Sequence, residues 1–478
     1  MPAAPATGGA FARPKPAGKP ARAACKEPAA ARGALDGALA DADVARRDGL
    51  LADLEACAGL PVGLVRALRA ELAPTECGDA IVEPLAAAPP RTMSGAVYHA
   101  LFGQVLAARC ARTVRSPPQL AAPYDKKRVL EFINGPMAAW IHDQARAVQE
   151  TTEVGARLPY YGKALVAVEA GMADMRFVEA VRAIPLPTEL AKDAELRDTY
   201  YGNLDRSLDP RKDRGRDAAL VGLRELAFVG TLRDERVDRA RALLSQLYGG
   251  RRIDALDGLQ VPPLAAAQPA TPHARRAPRL PTFYAGLVLD PQLALSPSGL
   301  RALLERGLSV PHRMALKAAS ELQPEVRLLY ARARLALGQR YWRRVDIEHA
   351  ASLLVGMPQP RTAEADHLLA LTLGLRGGPE DAAQMMRRAP LTSLGMGKTA
   401  ALDSLAARTP PGPYAGAAAF NAALIRQVAA PQNADAAYWR DVARRYHTAA
   451  QLAREPAARA AAEERARAAE LTAEAIAR

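Results

Sequence analysis

Apolar residues in this chain return every three or four positions far more often than every two, the period of a helix with one buried face. Leu50, Leu51 and Leu54 predict a helix ending near Gly59, and Leu64, Val65, Leu68 and Leu72 a second, stopped by Pro74. Tyr98, Leu101, Val105 and Cys110 mark a third across Val97–Val114. Val129, Leu130, Phe132 and Ile133 belong to a helix expected to break at Asn134-Gly135-Pro136, after which Met137, Trp140, Ile141, Ala145 and Val148 trace a stripe with Gln144 inside it. Leu165, Val168, Met172, Met175 and Val178 predict another helix. Leu220–Ala227 and Val237–Leu247 then predict a hairpin turning at Gly230. The charged run Asp209–Asp217 reads as a loop ahead of that hairpin.

The clearest pattern lies in Ala363–Pro390. Leu369, Ala370 and Leu373 recur at helical spacing, Gly377 and Gly378 close the helix, and Pro379 suits the start of the next. Ala382, Met386 and Ala389 repeat the spacing. These residues resemble a tetratricopeptide repeat, a helix-turn-helix unit of about 34 residues. Leu369, Ala370, Leu373, Gly377, Ala382, Met386 and Ala389 match its offsets, whereas Asp366 and the early Pro390 depart from them. A weaker copy aligns Ala350, Leu354, Met357 and Pro358 with Ala382, Met386, Ala389 and Pro390, with a longer inter-helix segment at Gln339–Glu348. The resemblance covers the last third of the chain. It implies a helical surface for protein or peptide partners and brings no catalytic residue with it.

Punctuation divides the 478 residues. Residues 1–32 are a basic, Pro- and Ala-rich leader with too few apolar anchors to fix a fold. Residues 33–122 form a helical region holding all four cysteines, and 123–259 a central helical domain. The proline-rich stretch 260–281 reads as a linker, because proline disfavours helix interior and sheet alike. Residues 282–478 carry the repeat-like helices and end on an exposed capping helix, Ala457–Arg478. The expected fold class is all-α: helical hairpins in the C-terminal half, bundle-like packing before them.

Composition supports this. The chain is 49% hydrophobic and 24% charged, values of a globular protein, and its alanine and arginine favour helix over strand. A net charge of +13 raises the prospect of a polyanion partner. Along most of the chain, however, acids and bases alternate as on solvated helix faces. No stretch approaches the ~20 apolar residues of a membrane span.

The leader lacks an apolar core after Met1, yet Ala10-Phe11-Ala12 fits a small-x-small cleavage pattern. Export is the expectation carried forward, with an ordinary cytoplasmic leader as the alternative. Cys25, Cys57, Cys77 and Cys110 contain no C-x-x-C pair, so they offer no metal or redox motif. Four cysteines allow three pairings. A Cys57–Cys77 bridge flanking a helix at Leu60–Leu72 is the candidate, and in a reducing compartment all four would be buried thiols.

Local chemistry is sparse. Gly395-Met396-Gly397-Lys398-Thr399 resembles the end of a phosphate-binding loop, but Thr392 stands where its first glycine belongs and no strand precedes it. A helix start explains these residues better. His99, His142, His273, His312, His349, His367 and His447 have no metal-ligand spacing. The pairs Tyr160-Tyr161-Gly162 and Tyr200-Tyr201-Gly202 read as helix-end packing. Trp439, Arg440 and Tyr446 are a candidate partner-binding set, since Trp439 and Tyr446 share a helix face and these residue types dominate interface hot spots. Core packing of that stripe is the alternative. Arg211, Arg214 and Arg216 are the second candidate set.

The chain therefore reads as a bacterial, non-enzymatic interaction scaffold with no cofactor and no metal, whose partner is an unidentified protein or peptide. The alternative is a basic protein gripping nucleic acid or another polyanion through its leader and Arg211–Arg216.

Overall fold

The computed structural model describes residues 25–113, 117–247, 254–264, 296–310, 321–376 and 398–478, apart from 26, 40, 42, 306 and 432. The chain is all-α. Among the described residues the sole pairing of extended backbone is an isolated antiparallel bridge between Thr231 and Leu308. The helices form two units. One holds the described residues to Val229 with Arg233–Leu247, and the other holds Gly230–Leu232, 254–264 and everything after 296. This division differs from boundaries at 122/123 and 259/260.

The first unit opens with α1 (Pro28–Leu39), α2 (Val44–Asp53), α3 (Leu64–Leu72), α4 (Gly78–Ala87) and α5 (Gly95–Thr113). A disulfide joins Cys25 to Cys57, and the Gly59 amide donates to the Cys25 carbonyl at 3.1 Å. This corrects the expected Cys57–Cys77 bridge. The start of α1 folds back onto the loop after α2 and brings Cys25 to Cys57, whereas Cys77, across α3, is a free thiol. Arg69 on α3 is buried and bonded to Asp48 (2.7 and 2.8 Å) and Glu55, which fixes α3 against α2.

Next come α6 (Lys126–Phe132) and α7 (Ala138–Gly155), joined without a break by a π-helical turn, Ile133–Met137. Asn134-Gly135-Pro136 therefore widens the helix instead of ending it, as an inserted residue in the hydrogen-bond ladder does. Then follow α8 (Tyr160–Arg182), α9 (Thr188–Lys192), α10 (Ala194–Val229) and α11 (Glu235–Leu247). Helix α8 is buried on nearly all sides, with α5, α7, α10 and α11 around it. Its buried acids, Glu169 and Asp174, are paired with arginines of neighbouring helices, which lets a charged helix sit at the centre. Small residues set its distances: a Cβ at Gly103 of α5 would lie 2.5 Å from Gly162 Cα, and one at Gly171 would lie 2.7 Å from the Gly215 carbonyl of α10.

The run Asp209–Asp217 is not a loop but the middle of α10. Its charges are spent inside the unit. Arg214 Nε bonds Asp174 of α8 at 2.6 Å and Arg211 bonds it at 3.2 Å, with the Asp174 side chain 1% exposed. Arg211 also covers the Phe177 ring at 4.4 Å, and Arg216 pairs with Asp213 and Asp217. Docking on α8 and neutralised charge outweigh the helix-weakening Pro210 and Gly215.

The second unit contains α12 (Pro297–Glu305), α13 (Pro324–Tyr341), α14 (Arg344–Val355), α15 (Ala363–Arg376), α16 (Ala400–Ala406), α17 (Ala415–Val428), α18 (Ala436–Leu452) and α19 (Pro456–Ala477). Each packs on its successor among the described helices. The α13–α14 turn is tight, not long: Trp342, at φ 51°, ends α13 in the left-handed conformation and Arg343 leads into α14. Burial of Trp342 holds that conformation. Gly338 admits Ile347 of α14 and Gly374 admits Ile425 of α17, each where a Cβ would meet the isoleucine at 3.0 Å or less.

On α15 the buried stripe is Ala365, Leu368, Ala370, Leu371 and Leu375, while Leu369 is half-buried and Leu373 is 37% exposed. The repeat signature thus sits one face away from the core at two of its positions, because α13, α14, α16 and α17 close on α15 from the other side. Gly377, Ala382, Met386 and Ala389 lie outside the described residues, as do the linker residues after Leu264.

A buried ion pair secures the α13–α14 hairpin. Arg334 donates to Asp346 at 3.1 Å and to the Tyr330 hydroxyl at 2.7 Å, with side chains 4% and 1% exposed for the charged pair. Removing one member strands a charge, whereas replacing both with apolar groups is close to neutral. Asp346→Ala should therefore lower stability by roughly 3–5 kcal/mol, and Arg334→Met with Asp346→Leu should recover part of it in urea unfolding, Arg343 at 3.4 Å having also lost its contact with Asp346. The thiols give a second check. Burial pushes the Cys110 thiol up to about 12, so a thiolate-directed reagent should label Cys77 alone in the native protein. Unfolding should add Cys110, and Cys25 and Cys57 should react only after reduction; labelling of all four without reductant would contradict the bridge.

Candidate peptide-binding site

Of the residues expected to form a linker, 260–264 lie instead across the second unit's helices, running on from a turn expected in the central domain. A single 3₁₀ turn, Ala255–Gly258, leads into Leu259 at φ −62° and ψ 130°, which is polyproline-like backbone. From there to Leu264 no residue belongs to a helix or strand. Such a stretch cannot satisfy its own main-chain groups, so each must find a partner or water.

The partners come from α13, α15 and α17. Asn421 of α17 grips Gln260 twice: its Oδ1 accepts the Gln260 amide at 2.7 Å, and its Nδ2 donates to the Gln260 carbonyl at 2.8 Å. His367 of α15 places Nε2 at 3.2 Å from the same carbonyl. The tautomer protonated at Nε2 satisfies that arrangement, and the carbonyl then uses both lone pairs. Arg332 of α13 donates to the Pro262 carbonyl while pairing with Glu364 of α15 at 2.7 Å. Two turns along α13, Gln339 donates to the Leu256 carbonyl at 2.6 Å, and Arg340 pairs with Asp257 at 3.5 Å. A Cβ at Gly258 would lie 3.2 Å from Arg465 Nη2 and 3.3 Å from Leu424 Cδ2, a close fit that favours a small residue there.

Side chains of the segment add three anchors. Leu256, Leu259 and Pro262 are buried, while Gln260 and Val261 are half-exposed. A spacing of three puts the anchors on one face, since both 3₁₀ and polyproline II backbones turn about once in three residues.

The residues that hold the segment are themselves buried. Asn421 and His367 are 0% exposed. Burial lowers the His367 pKa to about 4 against the weaker opposing effect of its bond to Gln260. His367 Nδ1 faces no partner, the Tyr414 ring lies 5.7 Å away, and the imidazole is held neutral.

The predicted partner-binding residues fall elsewhere. Tyr446 is 0% exposed, donates to Gln427 at 2.6 Å and meets Phe420 edge-on, so it is core. Trp439 is half-buried on α18 and Arg440 exposed. Arg211, Arg214 and Arg216 are committed to acids of the first unit, as described above. Lys398 is exposed, and Thr399 precedes α16 with its hydroxyl on Asp403 at 2.9 Å, which is a helix start. In the first unit a cavity of about 640 Å³ is walled by charges that pair with one another: Arg236 with Glu71 (2.9 Å) and Asp234 (2.8 Å), and Arg239 with Glu169 (3.3 Å). Among the described residues no three His, Cys, Asp or Glu side chains gather to hold a metal ion, and no helix is long and apolar enough to cross a membrane.

Sequence reasoning passed over Asn421, His367, Arg332 and Gln339. One signal was present: Asn421 is the lone polar residue in the run Ala415–Ile425.

A histidine kept neutral by burial costs stability once the unfolded chain can bind its proton. With a folded pKa near 4 against 6.5, the contribution is complete above about pH 6.5 and is lost progressively down to pH 4. The full loss is about 3 kcal/mol. His367→Gln should remove that part of the acid sensitivity, seen as a smaller drop in unfolding free energy between pH 7 and pH 4 than in the wild type. Comparison of the chain with protein-family models, with curated proteins and with solved structures finds no match, so chemistry alone speaks for this site.

Proposed function

We propose that this chain is a non-enzymatic interaction scaffold whose tetratricopeptide-like helical hairpins bind an extended segment of a protein partner. The observation that carries the reading is the pair of hydrogen bonds from the Asn421 amide to the main chain of Gln260. Main-chain recognition by side chains along successive helices is a way of binding peptides in extended form. The Cys25–Cys57 bridge favours an oxidising compartment as the place of action. Polyanion binding through Arg211, Arg214 and Arg216 is less favoured, because those guanidinium groups already pair with Asp174, Asp213 and Asp217.

Affinity capture on the full chain tests this, with Asn421→Ala run in parallel and both repeated in high salt. The scaffold reading expects proteins held by the wild type, retained in high salt and lost from the variant. Polyanion binding instead predicts capture that collapses steeply with salt and ignores Asn421.

A further inference from the structure

The segment 256–262 has the features of a ligand, although it belongs to the chain that binds it. Its main chain is bonded at Leu256, Gln260 and Pro262 by side chains of α13, α15 and α17. Its three buried side chains, Leu256, Leu259 and Pro262, share one face. Nothing in those contacts requires covalent continuity with the helices.

The helices, for their part, are built to be occupied. With the segment in place Asn421 and His367 are fully buried, and Arg332 is 9% exposed, its pKa lowered by desolvation. Emptying the groove would leave these groups without the carbonyl and amide that satisfy them, and each such loss is costly. Exchange of one occupant for another avoids that cost.

We infer that segment 256–262 is an internal occupant of the groove, displaced by a partner's extended segment of the same chemistry, Leu-x-x-Leu-x-x-Pro with glycine or another small residue favoured before the second leucine. This deepens the scaffold reading and rests on it. The partner must offer a free amide and carbonyl at the position after the second leucine, which excludes proline there, and an apolar residue at each third position. Charge is a secondary requirement: Arg340 beside Asp257 and Arg465 beside Gly258 favour an acid near the turn. Because the internal segment is tethered, its effective concentration is on the order of millimolar. A free peptide therefore competes at a disadvantage until the internal copy is weakened.

The test uses a fluorescent peptide copying residues 254–264, titrated into the full chain. Leu259→Ala in the protein loosens the internal copy, and removing most of a buried leucine corresponds to roughly a ten- to hundredfold change in binding. The expected result is peptide binding at least tenfold tighter to Leu259→Ala than to wild type, abolished when Asn421→Ala is added. In the wild type, excess unlabelled peptide should speed hydrogen exchange at the Gln260 amide, a measurement that needs no variant to fold. Equal, Asn421-dependent binding to wild type and Leu259→Ala would overturn internal occupancy while leaving the groove a peptide site. No binding to either protein, with Gln260 exchange unmoved by peptide, would make the segment a fixed part of the fold and overturn the inference. The capture experiment with Asn421→Ala judges the scaffold reading separately.

Discussion

Close approach of helix backbones is the constraint on which both units depend. Where glycine and alanine line a crossing, as at Gly103 with Gly162 and Gly171 with Gly215 in the first unit and at Gly416 with the Leu452 carbonyl in the second, main chains come together with little side chain between them. Each crossing then buries less apolar area than a leucine-rich one, at about 25 cal/mol per Å². Specificity is supplied by other means. Arginine–carboxylate pairs sit between helices: Arg69 with Asp48 and Glu55, Arg214 with Asp174, Arg334 with Asp346. Such pairs add little net stability over apolar replacements, but a wrong register strands a buried charge. The same arrangement explains the apparent excess of arginine along the chain. Several of the residues that suggest a basic surface are internal fasteners.

The groove of the second unit follows a related logic. A buried asparagine, a buried neutral histidine and a desolvated arginine converge on residues 260–262, extended backbone beyond the reach of the turn that precedes it. Each side satisfies the other, and neither would be stable in that position alone. The site is thus as much a consequence of satisfying polar groups as of burying Leu256 and Leu259.

Periodicity made the helical class legible, and α5 and α8 lie close to where their apolar residues place them, whereas the α13–α14 turn is shorter than the segment Gln339–Glu348 expected to join its helices. Misreadings cluster where local residue preference opposed tertiary packing. Pro210, Gly215 and a dense charge run look like a loop, yet helix α10 continues because Asp174 and Phe177 on α8 accept Arg211 and Arg214. Asn134-Gly135-Pro136 looks like a break, yet the ladder absorbs it as a π turn. Gln260–Leu264 looks like a spacer because prolines cannot join a helix. In fact extended backbone is what Asn421 requires. The groove residues were hidden for a simpler reason: they come from α13, α15 and α17, far apart along the chain, with no local spacing to betray them.

The grip on Gln260 has a further meaning for how this chain can change over time. Asn421 reads an amide and a carbonyl that every residue but proline presents in the same way. Position 260 is therefore free to drift through nearly the whole alphabet, while Asn421 has no substitute that offers a donor and an acceptor in the same place at the same length. At position 260 the sequence requirement therefore falls on the receiving helix and not on the segment. Substitutions at position 260 would leave the role of the asparagine intact, whereas Leu256, Leu259 and Pro262 are held by their own buried side chains and are not free in that way.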